Sequence, residues 1–267
     1  LYLGVAYRYQ GQLRAALDVY RDVLPLAQTM GGKSIAALCY THLGDVEMQF
    51  AHLRRAKELH DQAIEITEDR TGRTDLPFLG YIYVGIGRIL RQRDQLEDAY
   101  DLTSKGVALC RDWNVADIMA LSCVELAYIQ QALGLDHEAR QSIEEAIQLM
   151  SHFSPWGTAY ISAYQANLNV RRGDTAAVER WALTRNLALD EDFQFRREVD
   201  YLTLVRLLVV QERLDEAHAL AGRILRIAQE VEARHMELEV LILLALIHGA
   251  CGRTDQALAH LEKALTM

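Results

Sequence analysis

The strongest constraint on this chain is a repeat of about 40 residues. An alanine recurs after a short turn at Ala16, Ala56, Ala99, Ala139, Ala217 and Ala257, and Val178 fills the missing slot. The spacings are 40, 43, 40, 39, 39 and 40, so seven repeats account for all 267 residues. A period of this size marks stacked units, each burying its apolar face against its neighbours. Length then counts units, and the usual domain-size prior does not apply. The extra residues of the 43 spacing fall around Arg70 to Leu76, a polar stretch that ends at Pro77.

Fixed offsets surround each anchor. Five residues before it stand Gly11, Gly134, Gly173 and Gly252, which suits the left-handed turn that ends one helix before the next. Seven after it stand the small residues Ala63, Gly106, Ala146 and Ala264. Positions seven apart share one helix face, and small residues there let helices approach. Thirteen and twelve before it come Leu3-Gly4, Leu43-Gly44, Ile86-Gly87, Leu126-Ala127, Leu204-Val205 and Leu244-Ala245. Between these marks apolar residues step by three and four, as in Leu214, Ala217, Leu220, Ala221, Ile224, Leu225 and Ala228, the period of a helix. Asp94 with Glu97 reads as a capping box. Pro77 and Pro155 should open new helix pairs, whereas Pro25 lies inside a helix and should kink it. Fourteen helices alternating as A and B follow, and no stretch alternates as a strand does. Three prolines stand where average usage would give roughly 13, which also disfavours β and linker readings.

Leu3-Gly4 with Tyr7 and Ala16, then Tyr40, Leu43-Gly44, Ala56 and Ala63, resemble the tetratricopeptide (TPR) pattern. These repeats run longer than the usual 34 residues or so, and the fifth departs from the pattern at Gln165 and Val178. The 40-residue period, the segment ERLDEAHALAGRILRIAQEV and the ending LILLALIHGACGRTDQALAHLEKAL resemble something narrower. They are similar to the superhelical region of large bacterial LuxR-type ATP-dependent activators, the MalT-like group. The resemblance covers the whole chain. It implies an all-α, right-handed α-solenoid of about seven TPR-like helix pairs, with residues 1–267 as one superhelical domain of a larger cytoplasmic chain. In that family such a region joins a nucleotide-binding module to a helix-turn-helix module.

Charge and cysteine narrow the function. The net charge is -9, and no basic stripe of the kind that neutralises phosphates is visible, so direct nucleic-acid contact is not expected. Cys39, Cys110, Cys123 and Cys251 have no CxxC spacing and sit in apolar helical patterns, which suits small buried groups in a reducing compartment. The longest apolar run, Val240 to Ile247, falls far short of the roughly 18 residues of a membrane span.

Catalytic chemistry finds no footing. Residues 27–34, AQTMGGKS, match a loose phosphate loop, but such a loop needs a strand before it. They read instead as a Gly-Gly helix stop with Ser34 as the next cap. The nine histidines show no HExxH and no metal spacing. His52 and His60 share a helix, but no carboxylate lies on their line. No nucleophile elbow occurs. Glu144-Glu145 reads as solvated surface, and Asp190-Glu191-Asp192 as a loop or helix start. No enzyme activity and no cofactor are expected.

A ligand would meet the A helices, which line the concave side of such a stack. Eleven before the anchor, repeats two to seven carry Asp45, Arg88, Tyr128, Asn167, Arg206 and Leu246. Three further on come Met48, Arg91, Gln131, Val170, Val209 and Gly249. Seven before the first row come Leu38, Tyr81, Leu121, Tyr160, Val199 and Glu239. The candidate groove is therefore Tyr81, Arg88, Arg91, Tyr128, Gln131, Tyr160, Asn167 and Arg206. Guanidinium forks suit carboxylate or phosphate, and Tyr and Asn suit hydroxyls or peptide groups. Two readings stay open: a site for a small-molecule effector or peptide, or ion pairing of the arginines with acids of adjacent helices such as Glu125 or Glu198. The resemblance implies an effector-sensing, coupling module whose partners include the nucleotide-binding and helix-turn-helix modules of its own chain. The alternative is a generic TPR adaptor for a partner peptide. Uncapped end helices would also give weak self-association.

Overall fold

A computed structural model describes residues 1–67, 79–113, 116–151, 155–189 and 193–267. Among them are fourteen α-helices, one 3-10 turn at Phe195–Arg197, and no strand. The A helices are α1 (Tyr2–Tyr9), α3 (Lys33–Gln49), α5 (Leu79–Gln92), α7 (Ala116–Ala132), α9 (Pro155–Arg171), α11 (Glu198–Val210) and α13 (Arg234–Ala250). The B helices are α2 (Leu13–Thr29), α4 (Leu53–Thr67), α6 (Leu96–Trp113), α8 (Asp136–Ser151), α10 (Thr175–Thr184), α12 (Leu214–Glu230) and α14 (Thr254–Leu265). The anchor opens every B helix. Ala16, Ala56, Ala99, Ala139, Val178 and Ala217 are all fully buried, while Ala257 is half-buried on a helix with no buried residue.

One turn geometry joins A to B in all seven repeats. Gly11, Gly134, Gly173 and Gly252 have φ of 76°, 76°, 81° and 71°. Ala51, Asp94 and Glu212 occupy the same slot with φ of 60°, 58° and 58°. In six of these turns the following N–H closes back on the carbonyl five residues earlier: His52 on Glu47, Gln95 on Leu90, Leu135 on Gln130, Asp174 on Asn169, Arg213 on Leu208 and Arg253 on His248, at 2.8–3.0 Å. This is the closure that satisfies a helix's last carbonyls, and it needs a left-handed residue. The geometry overrides local composition at the three non-glycine sites. It also corrects the capping box: Asp94 is the left-handed residue, and α6 starts only at Leu96.

Other local readings sort in the same way. Gly31, with φ of 70°, and Gly32 separate α2 from α3. Because α3 begins at Lys33, Ser34 lies inside the helix and Gly32 holds the cap position. Pro155 opens α9, and α2 continues through Pro25 to Thr29. Arg70 to Leu76, Pro77 and Asp190-Glu191-Asp192 lie outside the described residues. Cys39, Cys110 and Cys123 are buried, Cys251 is half-buried, and all four are free thiols. Burial pushes the Cys123 thiol up to about 12. Glu145 is not merely solvated: it accepts two hydrogen bonds from one Arg111 nitrogen, at 2.7 and 2.9 Å. Among the described residues no helix is long and apolar enough to cross a membrane.

The chain divides into two compact units. The first holds Leu1–Arg8, Arg14–Met48 and His52–Ile161, and the second holds Tyr9–Leu13, Gln49–Ala51 and Ser162–Met267. In the first, α5 packs on α6, α6 on α7 and α7 on α8. The fit within each pair puts a B-helix side chain where an A-helix glycine leaves room. A methyl group added at Gly4 would strike the Tyr20 ring, one at Gly44 the His60 ring, and one at Gly87 the Thr103 hydroxyl. His60 is fully buried and reaches on to Gly85 of α5. Its Nδ1 donates to the Ala56 carbonyl at 2.9 Å, and its Nε2 has no hydrogen-bond partner. Burial holds this ring below its ordinary pKa, hence neutral. In the second unit α11, α12, α13 and α14 pack in sequence order. There α10 is short. Asp174 caps it by accepting from the Ala177 N–H at 3.1 Å, and Trp181 Nε1 donates to Ser162 at 3.2 Å.

Candidate functional site

Successive A helices present the same face, so side chains about 40 residues apart come level. In the first unit this aligns a row of charges. Asp45 of α3, 2% exposed, accepts from Arg8 of α1 at 3.1 Å and from the Tyr81 hydroxyl of α5 at 2.8 Å. Arg88 of α5 lies 3.6 Å from the other oxygen of Asp45. The same arginine donates through Nε to Glu125 of α7 at 3.3 Å. Arg91 donates to the second Glu125 oxygen at 2.6 Å. The Arg91 guanidinium also lies over the Tyr128 ring, 5.4 Å from its centroid, within cation–π range. The result is one chain of alternating charge, Arg8, Asp45, Arg88, Glu125, Arg91, running across the A helices of four repeats.

The electrostatics follow from burial against pairing. Burial alone would raise the Asp45 carboxyl, but His42 beside it and the Arg8 and Arg88 charges hold it well below the ordinary carboxylate range. Burial likewise opposes ionisation of Glu125, and Arg91 and then Arg88 outweigh it. Burial works against the Arg91 charge too, and Glu125 more than offsets it. The Tyr81 phenol is pushed up by burial and by the neighbouring Asp45 charge, so it stays a donor. Buried carboxylates thus hold these arginines in fixed positions.

Of the residues expected to line a groove, Tyr81, Arg88, Arg91 and Tyr128 come together here. Gln131 is half-buried on α7, three residues beyond Tyr128, and Tyr160 is half-buried on α9. Asn167 and Arg206 belong to the second unit. Asn167 is 3% exposed and is used inside the fold: it donates to Thr203 at 3.1 Å and accepts from Arg171 at 3.0 Å. Arg206 pairs with Glu239 and donates to the Leu202 carbonyl at 3.3 Å. Burial opposes the Glu239 charge, and Arg206 outweighs it. Of the two open readings, pairing with adjacent acids therefore holds for Arg88 and Arg91 through Glu125, and for Arg206 through Glu239. The sequence reading missed Arg8. It stands eight before the first anchor, the slot of Arg91, but the rows of groove positions began at the second repeat. Asp45 and Glu239 stood at those positions, and both prove to be partners of groove arginines. Among the described residues no group of three His, Cys, Asp or Glu is arranged to hold a metal ion.

Residues 1–267 match the family described as the MalT-like TPR region. The chain belongs to that family. The match covers all seven repeats of this MalT-like TPR region and agrees with its helix-pair architecture. No curated protein matches it. Two solved structures are similar to this chain. BtubC (BKLC) from P. vanneervenii shares 16% identity over 97% of this chain and 89% of its own, with a TM-score of 0.44. A kinesin light chain with nearly identical TPR-like repeats from Podosopora anserina shares 19% identity over 85% of this chain and 92% of its own, with a TM-score of 0.37. With TM-scores under 0.5, neither likeness bears on function.

Proposed function

We propose that this MalT-like TPR region is the effector-sensing and coupling module of a LuxR-type transcription regulator, and that it takes a small molecule or peptide against its A helices. One observation carries the reading. Arg8, Asp45, Arg88, Glu125 and Arg91 link four successive A helices, with Tyr81 and Tyr128 alongside. A ligand that takes over some of these hydrogen bonds changes how neighbouring repeats are held. In a stack where each repeat contacts its neighbours, that change biases an attached module. The generic adaptor reading has its own support: Arg88 and Arg91 are already matched by carboxylates, so a partner peptide need bring no charge.

Two measurements test the proposal. The parent open reading frame should encode a phosphate loop upstream and a helix-turn-helix downstream; flanks without them favour the adaptor. A neutral oligosaccharide, citrate and glucose 6-phosphate should each be titrated calorimetrically into the wild type and, separately, into Arg88→Ala and Arg206→Ala variants. A ligand that binds a variant as tightly as the wild type would remove that residue from the site.

A further inference from the structure

A second cluster lies in the second unit, away from the charged row. His248, in the last turn of α13, is 5% exposed. The ring of His218 from α12 meets it edge-on, with centroids 5.0 Å apart. The ring of His260 from α14 stacks on it at 5.2 Å and 9°. His248 Nδ1 is buried without a hydrogen-bond partner. Three imidazoles from three consecutive helices therefore share one contact.

The charges that act on His248 and His260 are one-sided, while on α12 Asp215 stands three residues before His218 and Glu216 pairs with Arg213. Arg253, in the turn before α14, acts on His248, and Lys263 of α14 acts on His260. On α11, Asp200 is engaged by Arg185 and Arg197, Arg206 is engaged by Glu239, and Glu198 stands at the opposite end in the first turn. On α13, Glu237 lies three turns before His248 and is held by Lys263 at 3.0 Å, Arg234 at 2.9 Å and Gln229 at 2.8 Å. Burial first, and then the neighbouring rings and cations, keep His248 and His260 below the ordinary imidazole pKa.

We propose that His218, His248 and His260 form a proton-operated latch that holds α14 on α13 at neutral pH and releases it in mild acid. Neutral rings stack. Protonated rings at 5 Å separation, beside Arg253 and Lys263, repel one another. The sign follows from the depressed values. At His248 and His260 the opened form takes up protons at the ordinary imidazole pKa of about 6.5, the closed form only at lower pH, so closure weakens as pH falls through that window. The Lys263–Glu237 pair does not confound this, because the Glu237 carboxyl is held below its ordinary value and stays ionised there.

Amide hydrogen exchange on the 267-residue chain tests the latch, with rates corrected for intrinsic pH dependence. Protection of the α14 amides should fall at least tenfold between pH 7.5 and 5.5, while α5 to α7 change little. In the His218→Gln/His248→Gln/His260→Gln variant the fall should be under twofold. The single His260→Gln change, at a half-buried site, should reduce the fall by about threefold, and it serves if the triple variant folds poorly. Equal α14 protection at both pH values in the wild type, or an undiminished fall in His260→Gln, would overturn the proposal.

Discussion

Asp45 and Glu125 in the first unit and Asp200 in the second are buried carboxylates held in different ways. In the first, Asp45 and Glu125 reach across repeats: their arginine partners lie 34 to 43 residues away in sequence, on neighbouring A helices. In the second, Asp200 is held locally. Arg185, just past the short α10, meets it at 2.6 Å, and Arg197, three residues before it, at 2.9 Å. The Arg197 guanidinium also sits over Tyr201 at 5.5 Å. The same chemistry therefore does two jobs. Across repeats it ties equivalent helices together. Between the fifth and sixth repeats it secures a junction beside a B helix only ten residues long.

Removing the carboxylates probes that contrast most strongly. Asp45→Ala removes the buried carboxylate shared by Arg8, Arg88 and the Tyr81 hydroxyl, and should cost about 3–5 kcal/mol. Asp200→Ala removes the partner of two arginines, about as open to water as Arg8 and Arg88, but of no tyrosine hydroxyl, and should cost about 1–3 kcal/mol. Urea unfolding of both variants measures the difference; equal losses would erase the distinction. A pH series sharpens it further. Asp45 and Glu125 titrate below their ordinary range when folded, so the stability they add is complete above a pH of about 4–5 and drains away as pH falls. Asp45→Asn should flatten that acid limb, which thermal melts from pH 7 to 3 would record. The smallest expected effect concerns what the units share. Asp94→Gly in the first and Glu212→Gly in the second relieve the same left-handed strain, and each should gain about 0.5–1 kcal/mol.

The helix pairs were legible in the sequence because packing repeats at a fixed interval, so one buried anchor per unit sets the register. The turns were legible at Gly11, Gly134, Gly173 and Gly252, where residue type and backbone agree. At Ala51, Asp94 and Glu212 they were hidden, because the closing hydrogen bonds impose a conformation those residues do not advertise. Asp94 then read as a cap, the more frequent role of an aspartate near a helix start. The charged row was half legible. Position in the repeat brought Arg88, Arg91 and Asp45 to one face, but spacing alone does not say which cation meets which anion. That depends on side-chain reach between helices, as in the single Arg88 that meets both Asp45 and Glu125.

The glycines facing Tyr20, His60 and Thr103 carry a historical consequence. At Gly4, Gly44 and Gly87 a methyl group collides with its partner, so neither member of such a pair is at liberty to vary by itself. Drift at these slots has to proceed by compensated steps, a larger residue on one helix matched by a smaller one on the other. When related chains are set side by side, correlated substitutions should concentrate at these three couples and be sparse at the turns, where one backbone shape already tolerates glycine, alanine, aspartate and glutamate.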